Sequence, residues 1–295
     1  MKHADLQGIY SALLTSFDAE GVIQEQGVRE IIRHNIDAMG VDGLYVGGST
    51  GENFMISTDE KKQLFRIAKD EVGSKVKLIA QVGSVNVKES VELAKYATDL
   101  GYDAISAVTP FYYKFSFDEI KEYYNTIIGS VDSRLIIYSI PALTGVNMNV
   151  AQFGELFENE KIVGVKFTAP DFYLLERLRN AYPEHLIYAG FDEMMLSAAV
   201  LDVDGAIGST FNVNGPRARQ IFHAAQSGDI KKALELQHVT NDLITAILDN
   251  GLYSTIKELL ELQGVHAGYC RRPMASATPA QKARAKEIYN QFLAK

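Results

Sequence analysis

Short runs rich in Val, Ile, Leu and Ala recur along this chain, and each is followed by a longer amphipathic stretch. They fall at 8–14, 43–46, 76–82, 104–108, 135–140, 162–168, 186–190 and 205–208. Several are continuously apolar instead of alternating in and out, which is the pattern of a parallel sheet covered by helices on both faces. Successive runs lie about 20 to 35 residues apart, enough for a crossover helix in each interval. Eight such units within about 215 residues predict an α/β fold, a (β/α)8 TIM barrel. A doubly wound sheet would more often have fewer strands and a nucleotide fingerprint after the first.

The intervening segments carry helix-start signals. Ser57-Thr58-Asp59-Glu60 offers a cap and an acidic first turn, and Ser116-Phe117-Asp118-Glu119 has the spacing of a capping box. Asn86 is placed to cap a helix whose Val87, Val91 and Ala94 share one face. Helical patterns over 217–226, 229–249, 252–262 and 278–294 predict a C-terminal helical extension. No Pro/Gly/Ser-rich linker precedes it, so residues 1–295 are expected to form a single unit, with the barrel over about 6–212 and the helices of 213–295 packed on it.

Composition narrows the class. Hydrophobic residues make up 47 % and charged residues 22 %, ordinary for a soluble globular protein. A net charge of −8 argues against nucleic acid or an anionic membrane as partner. Cys270 is the single cysteine, which rules out an intrachain disulfide and predicts a reducing compartment, with the thiol as a packing residue. The first apolar stretch is too short for a signal peptide, and no run approaches the length of a membrane span, so a cytoplasmic location is expected. Six histidines show no HxH or HExxH spacing, and no metal centre is expected.

Barrel enzymes keep their chemistry at the carboxyl ends of the strands. The residue there that departs most from its surroundings is Lys166, inside the apolar run Ile162-Val163-Gly164-Val165-Lys166-Phe167-Thr168. An exposed lysine titrates near about 10.4 and cannot attack a carbonyl, whereas one stripped of water is amine for more of the time. Lys166 is therefore either a Schiff-base nucleophile or a lysine that snorkels from a strand end. Gly47-Gly48-Ser49-Thr50-Gly51-Glu52 has no lysine and no GxGxxG spacing, which excludes a P-loop and a Rossmann turn. Its N–H groups and paired hydroxyls suit a carboxylate, or else it is an ordinary tight loop; Glu52 is expected to be structural, paired with the loop backbone, since an acid there would repel a bound carboxylate. Tyr138 ends the fifth run and is either core or a proton-transfer phenol beside Lys166. Asp192-Glu193 suit a polyhydroxylated ligand, or form the acidic start of a helix. Tyr112-Tyr113 form an aromatic cluster suited to packing or to an interface.

In fixed order, Gly47-Gly48-Ser49-Thr50-Gly51-Glu52, Ala107-Val108-Thr109-Pro110-Phe111-Tyr112-Tyr113, Tyr138-Ser139-Ile140-Pro141-Ala142-Leu143-Thr144-Gly145, Gly164-Val165-Lys166-Phe167-Thr168 and Gly205-Ala206-Ile207-Gly208-Ser209-Thr210 resemble the pyruvate-dependent class I aldolases of the dihydrodipicolinate synthase/N-acetylneuraminate lyase superfamily. The likeness runs from about residue 6 to residue 273, and is strongest to the sialic acid branch. It implies a cofactor-free, reversible cleavage of N-acetylneuraminate to pyruvate and N-acetylmannosamine. It implies Lys166 as the Schiff-base lysine and Tyr138 as proton donor and acceptor. Ser49 and Thr50 would hold the pyruvyl carboxylate, with Thr168, Gly190, Asp192, Glu193 and Ser209 at the sugar end. Tyr112 matches a tyrosine that the family inserts from a neighbouring subunit, which implies a homotetramer.

Dihydrodipicolinate synthase shares the lysine, the tyrosine and the loop, but typically carries an arginine where this chain has Leu143, and an apolar side chain cannot clamp a second carboxylate. Phe167-Thr168 and Gly190-Phe191-Asp192-Glu193 also point to the sialic acid branch, while Ser139 stands where relatives often carry asparagine. Aldolases of 2-keto-3-deoxy sugar acids and a non-catalytic binding barrel remain the alternatives.

Overall fold

The computed structural model describes residues 2–294. All eight predicted strands form: β1 (Gly8–Ala12), β2 (Gly43–Val46), β3 (Lys77–Gln81), β4 (Ala104–Val108), β5 (Leu135–Ser139), β6 (Ile162–Phe167), β7 (Leu186–Ala189) and β8 (Gly205–Gly208). They pair in sequence order, every pair parallel, and β8 returns to β1 to close the barrel. Five strands stop one or two residues short of the apolar run that announced them. Beyond the ladder the backbone keeps single bonds to its neighbour, as in Leu13 N–H to Tyr45 O (2.9 Å) and Thr168 N–H to Ser139 O (2.9 Å), while the chain turns into the loops. Apolar content reports burial, and burial continues past the last ladder bond.

The helices are α1 (Glu25–Asp37), α2 (Thr58–Val72), α3 (Val87–Asp99), α4 (Phe117–Gly129), the short α5 (Pro141–Thr144), α6 (Val150–Phe157), α7 (Phe172–Ala181), α8 (Met195–Val200), α9 (Phe211–Gln226), α10 (Ile230–Asn250), α11 (Leu252–Glu261) and α12 (Pro279–Phe292). Ser57 and Ser116 close capping boxes with Glu60 and Glu119, and the Asn86 side chain accepts from Lys88 N–H. On α3 the buried stripe is Ser90, Leu93, Ala94 and Ala97, so Val91 lies beside the expected face and not on it. α9 begins six residues before the predicted 217, because its first turn precedes a break at Asn214 (φ −131°, ψ 16°) and Pro216 restarts the helix. The division expected near residue 212 thus falls inside α9, which packs against α8, α1 and β1 and completes the outer ring.

Two apolar layers result. One fills the space between barrel and helices, and the other fills the barrel itself with Tyr10, Tyr45, Ile79, Ile136, Tyr138, Val163, Tyr188 and Ile207 among others. At the amino end of the strands the Tyr10 and Tyr188 hydroxyls both donate to Leu6 O (2.9 and 2.5 Å), and their rings meet edge to face at 5.7 Å. That plug seals the floor. At the other end, Tyr45 and Tyr138 meet edge to face at 5.9 Å.

One irregularity sets what β6 presents. Against β5 the register steps from Leu135↔Ile162 to Ile136↔Gly164, so β6 carries one extra residue. Strict alternation would send Val163 and Lys166 to opposite faces. With the bulge, Val163 joins the interior layer, Ile162, Val165 and Phe167 join the outer one, and Lys166 turns inward. A Cβ at Gly164 would stand 2.2 Å from Leu186 O, so this strand crossing has no room for a side chain.

The second anchor is a buried ion pair. Glu52 holds a left-handed backbone (φ 62°) at the end of the 47–52 loop. Its carboxylate accepts from Lys257 Nζ on α11 (2.7 Å) and from Arg271 N–H (2.6 Å), and Lys257 also donates to Thr15 O (2.8 Å) and Tyr269 O. Both side chains are buried, so losing one partner strands a charge. Lys257→Met should destabilise the protein by about 3–5 kcal/mol in urea denaturation, and adding Glu52→Gln should recover part of that loss.

Candidate active site

Among the described residues three lysines are buried: Lys61, Lys166 and Lys257. Lys61 is paired with Glu89 (2.7 Å) and Lys257 with Glu52. Among the described residues Lys166 has no such carboxylate. Its Nζ lies instead 3.8 Å from the centre of the Tyr138 ring and 5.0 Å from that of Tyr45. Tyr138 and Lys166 are direct partners across β5 and β6, so backbone pairing itself sets the two side chains next to each other. The Tyr45 hydroxyl donates to Ser106 Oγ (2.9 Å), which donates to Ile136 O (2.8 Å), and this chain fixes the ring that backs Lys166.

The 47–52 loop lies against this group. Gly48 runs so close to Tyr45 that a Cβ there would sit 2.7 Å from the ring, and Gly47 takes a left-handed φ of 74° to leave the strand. Gly51 and Glu52 N–H groups donate to Gly48 O and Ser49 O within a 3₁₀ turn, so these two of the loop's N–H groups are already engaged. The hydroxyls are better placed. Ser49 Oγ lies 3.4 Å from the Tyr138 hydroxyl, and Thr50 Oγ1 lies 2.7 Å from Ser209 Oγ.

On the opposite side stand Thr168, Gly190 and Asp192. Thr168 Oγ1 is buried with no protein partner among the described residues. Gly190 must be glycine beside it, because a Cβ would fall 1.9 Å from that oxygen. Asp192 opens the 3₁₀ turn Asp192–Met194 that leads into α8, and its Oδ2 accepts from Thr210 N–H (2.8 Å) and Thr210 Oγ1 (2.5 Å). Gly208 leaves space for the other oxygen, since a Cβ there would be 2.1 Å from Oδ1. Burial pushes the Asp192 carboxyl up to about 6 against the opposing pull of the Thr210 bonds. Glu193, the next residue, is exposed.

These groups line one cavity of about 230 Å³ at the carboxyl ends of the strands. Ser49, Thr50, Tyr138, Lys166, Thr168, Gly190, Asp192, Glu193 and Ser209 all face it, and Leu143 stands at its rim. Tyr112 does not: it is 85 % exposed in a left-handed backbone (φ 77°), stacked edge to face on Tyr113. Sequence reasoning missed Ile244, Leu248, Leu252 and Tyr253, which line the cavity from α10 and α11. Helix residues beyond the barrel give no strand-end signal. It also missed Tyr45, which lies within a strand and is indistinguishable in sequence from core. A larger cavity of about 810 Å³ lies apart, between residues 19–21 and 269–276, and holds neither Lys166 nor Tyr138. Among the described residues no group of three or more His, Cys, Asp or Glu could hold a metal ion.

The sequence matches the dihydrodipicolinate synthetase family over residues 5–292. N-acetylneuraminate lyase of Clostridium perfringens is 74 % identical over 287 residues, which cover 97 % of this chain and 100 % of that protein. The chain belongs to the dihydrodipicolinate synthetase family, in its N-acetylneuraminate lyase branch. Two solved structures of that branch superpose closely. The Clostridium difficile CdNal, in complex with mannosamine, is 74 % identical with a TM-score of 0.97, covering 97 % of this chain and 99 % of that one. The Fusobacterium nucleatum lyase complexed with pyruvate is 63 % identical with a TM-score of 0.96, covering 99 % of each.

Asp192 gives this lyase-family site a measurable handle. Infrared difference spectra should show a carboxyl titrating near pH 6 that Asp192→Asn removes, and Thr210→Val should move it higher. Because folding raises this pKa, the stability linked to the group is fully present below the ordinary carboxylate range and is lost as pH rises through about 6.

Proposed function

We infer that this protein is a class I aldolase that reversibly cleaves N-acetylneuraminate to pyruvate and N-acetylmannosamine, with Lys166 as its nucleophile. The observation that carries this reading is a buried lysine, unpaired by carboxylate, set against the ring of Tyr138 in a cavity lined with hydroxyls and one buried acid.

Lys166 attacks the ketone of the open-chain sugar acid and loses water to form an iminium, which serves as an electron sink. Ser49 and Thr50 hold the adjoining carboxylate. Tyr138, linked to Ser49 through its hydroxyl, takes the proton of the C4 hydroxyl as the C3–C4 bond breaks, and returns a proton to the enamine carbon. Water then hydrolyses the imine and frees pyruvate. Thr168, Asp192, Glu193 and Ser209 meet the sugar hydroxyls and amide, and the open oxygen of Thr168 is a ready partner for one of them. The N-acetyl end also has Tyr253 nearby, whose burial pushes its phenol up to about 12 and keeps it a neutral hydrogen-bonding group.

Leu143 favours this substrate over one with a second carboxylate, since the rim offers no cation where dihydrodipicolinate synthase has its arginine. The exposed Tyr112 fits a role across a subunit boundary, as in the family's homotetramer, and the barrel and its C-terminal helices act as one unit in the cytoplasm. No described helix is long and apolar enough to cross a membrane.

Incubation with pyruvate and borohydride should add a reduced pyruvyl mass to the Lys166 peptide, and an unmodified peptide would sink the mechanism. Lys166→Ala should abolish pyruvate release from N-acetylneuraminate. Tyr138→Phe should still trap pyruvate while turnover falls by about 10²- to 10⁴-fold.

A further inference from the structure

α10 meets the cavity with one stripe of its surface. Gln237, Asn241, Ile244 and Leu248 follow at steps of four, three and four, and so share a face. The last two line the cavity. The first two reach the backbone of the turn that presents the acidic pair. Gln237 Nε2 donates to Asp192 O (3.1 Å) and to Asn241 Oδ1 (2.7 Å), while its Oε1 accepts from Leu196 N–H (3.0 Å). Asn241 Nδ2 donates to Glu193 O (3.1 Å). Gln237 is 5 % exposed, so water cannot readily replace its bonds if the amide is removed.

The two acids depend on this clamp differently. Asp192 has a second hold through Thr210. The exposed carboxylate of Glu193 makes no hydrogen bond among the described residues, so its position follows its backbone. Two successive carbonyls gripped by two linked side chains leave that turn little freedom to rotate.

We propose that Gln237 and Asn241 are positioning residues that set the geometry of the Asp192–Glu193 pair and through it the affinity for the sugar half of the substrate. This rests on the reading of that pair as the sugar-binding acids. The pyruvate half lies across the cavity on Ser49, Thr50 and Lys166 and is independent of the clamp.

The test compares Gln237→Met, which keeps side-chain length, Gln237→Glu, which keeps the acceptor for Leu196 N–H but loses the donor to Asp192 O, and Asn241→Ala at a half-buried position. For each, KM and kcat with N-acetylneuraminate are measured beside the rate of borohydride trapping by pyruvate alone. The expected result is a KM raised on the order of tenfold in all three, with a smaller fall in kcat and pyruvate trapping unchanged. If Gln237→Met fails to fold, Asn241→Ala carries the same comparison. An unchanged KM in folded variants would overturn the proposal. So would a loss of trapping parallel to the rise in KM, the sign of a general structural defect. Asp192→Asn and Glu193→Gln separate the two levels. If both controls raise KM and the clamp variants do not, only the clamp fails; if neither control does, the sugar-binding reading falls and the clamp with it.

Discussion

The extra residue in β6 is the constraint on which the site depends. A strand that alternates faithfully would carry Val163 inward and Lys166 outward, among the apolar side chains between barrel and helix, where an amine has neither substrate nor water. The bulge at Gly164 shifts the phase by one residue, and Leu186 O closes the space in which any larger residue would sit. Once the phase is set, pairing with β5 brings Tyr138 beside Lys166, and Tyr45 closes on both. A local departure from ideal sheet geometry thus places Lys166 in the cavity.

The buried lysines Lys61, Lys166 and Lys257 are treated in two ways. Lys61 and Lys257 have carboxylates and serve as ties between segments, as expected of charges taken out of water. Lys166 rests between aromatic rings and faces open space. Leaving one buried lysine without an acid is unfavourable for folding but keeps its nitrogen open to the cavity. The C-terminal region helps to sustain it: Lys257 on α11 grips the loop that carries Ser49 and Thr50, while Gln237 and Asn241 on α10 grip the turn that carries Asp192 and Glu193. The helices beyond the barrel therefore hold the two opposite walls of the cavity.

Much of this was legible in the sequence for identifiable reasons. The eight strands show because a parallel sheet buries both faces and so writes itself as continuous apolar runs. The capped helix starts show because Ser57, Asn86 and Ser116 make bonds within three residues of themselves. What stayed hidden is long-range. Nothing near Glu52 in the chain signals Lys257, 205 residues away: Glu52 has a structural task, but its carboxylate pairs with Lys257 and the Arg271 N–H instead of with the backbone of its own loop, the partner expected from sequence. Tyr45 and Tyr253 read as core tyrosines until the fold closes around Lys166. The direction of Lys166 itself depended on a bulge that apolar content cannot encode, and the start of α9 was masked by Pro216.

The tyrosine plug at the floor of the barrel has a kinetic meaning. With Tyr10 and Tyr188 closed over Leu6, the cavity around Lys166 has no exit through the floor. In the proposed reaction the pyruvyl fragment stays bonded to the lysine at the base of the cavity, and the amino sugar occupies the space above it. The sugar must therefore depart first, and the water that frees pyruvate enters by the path the sugar has vacated. In the synthetic direction the same geometry makes pyruvate the obligatory first arrival. In the proposed reaction an ordered sequence of substrates would thus rest partly on two phenols at the end of the barrel remote from the chemistry.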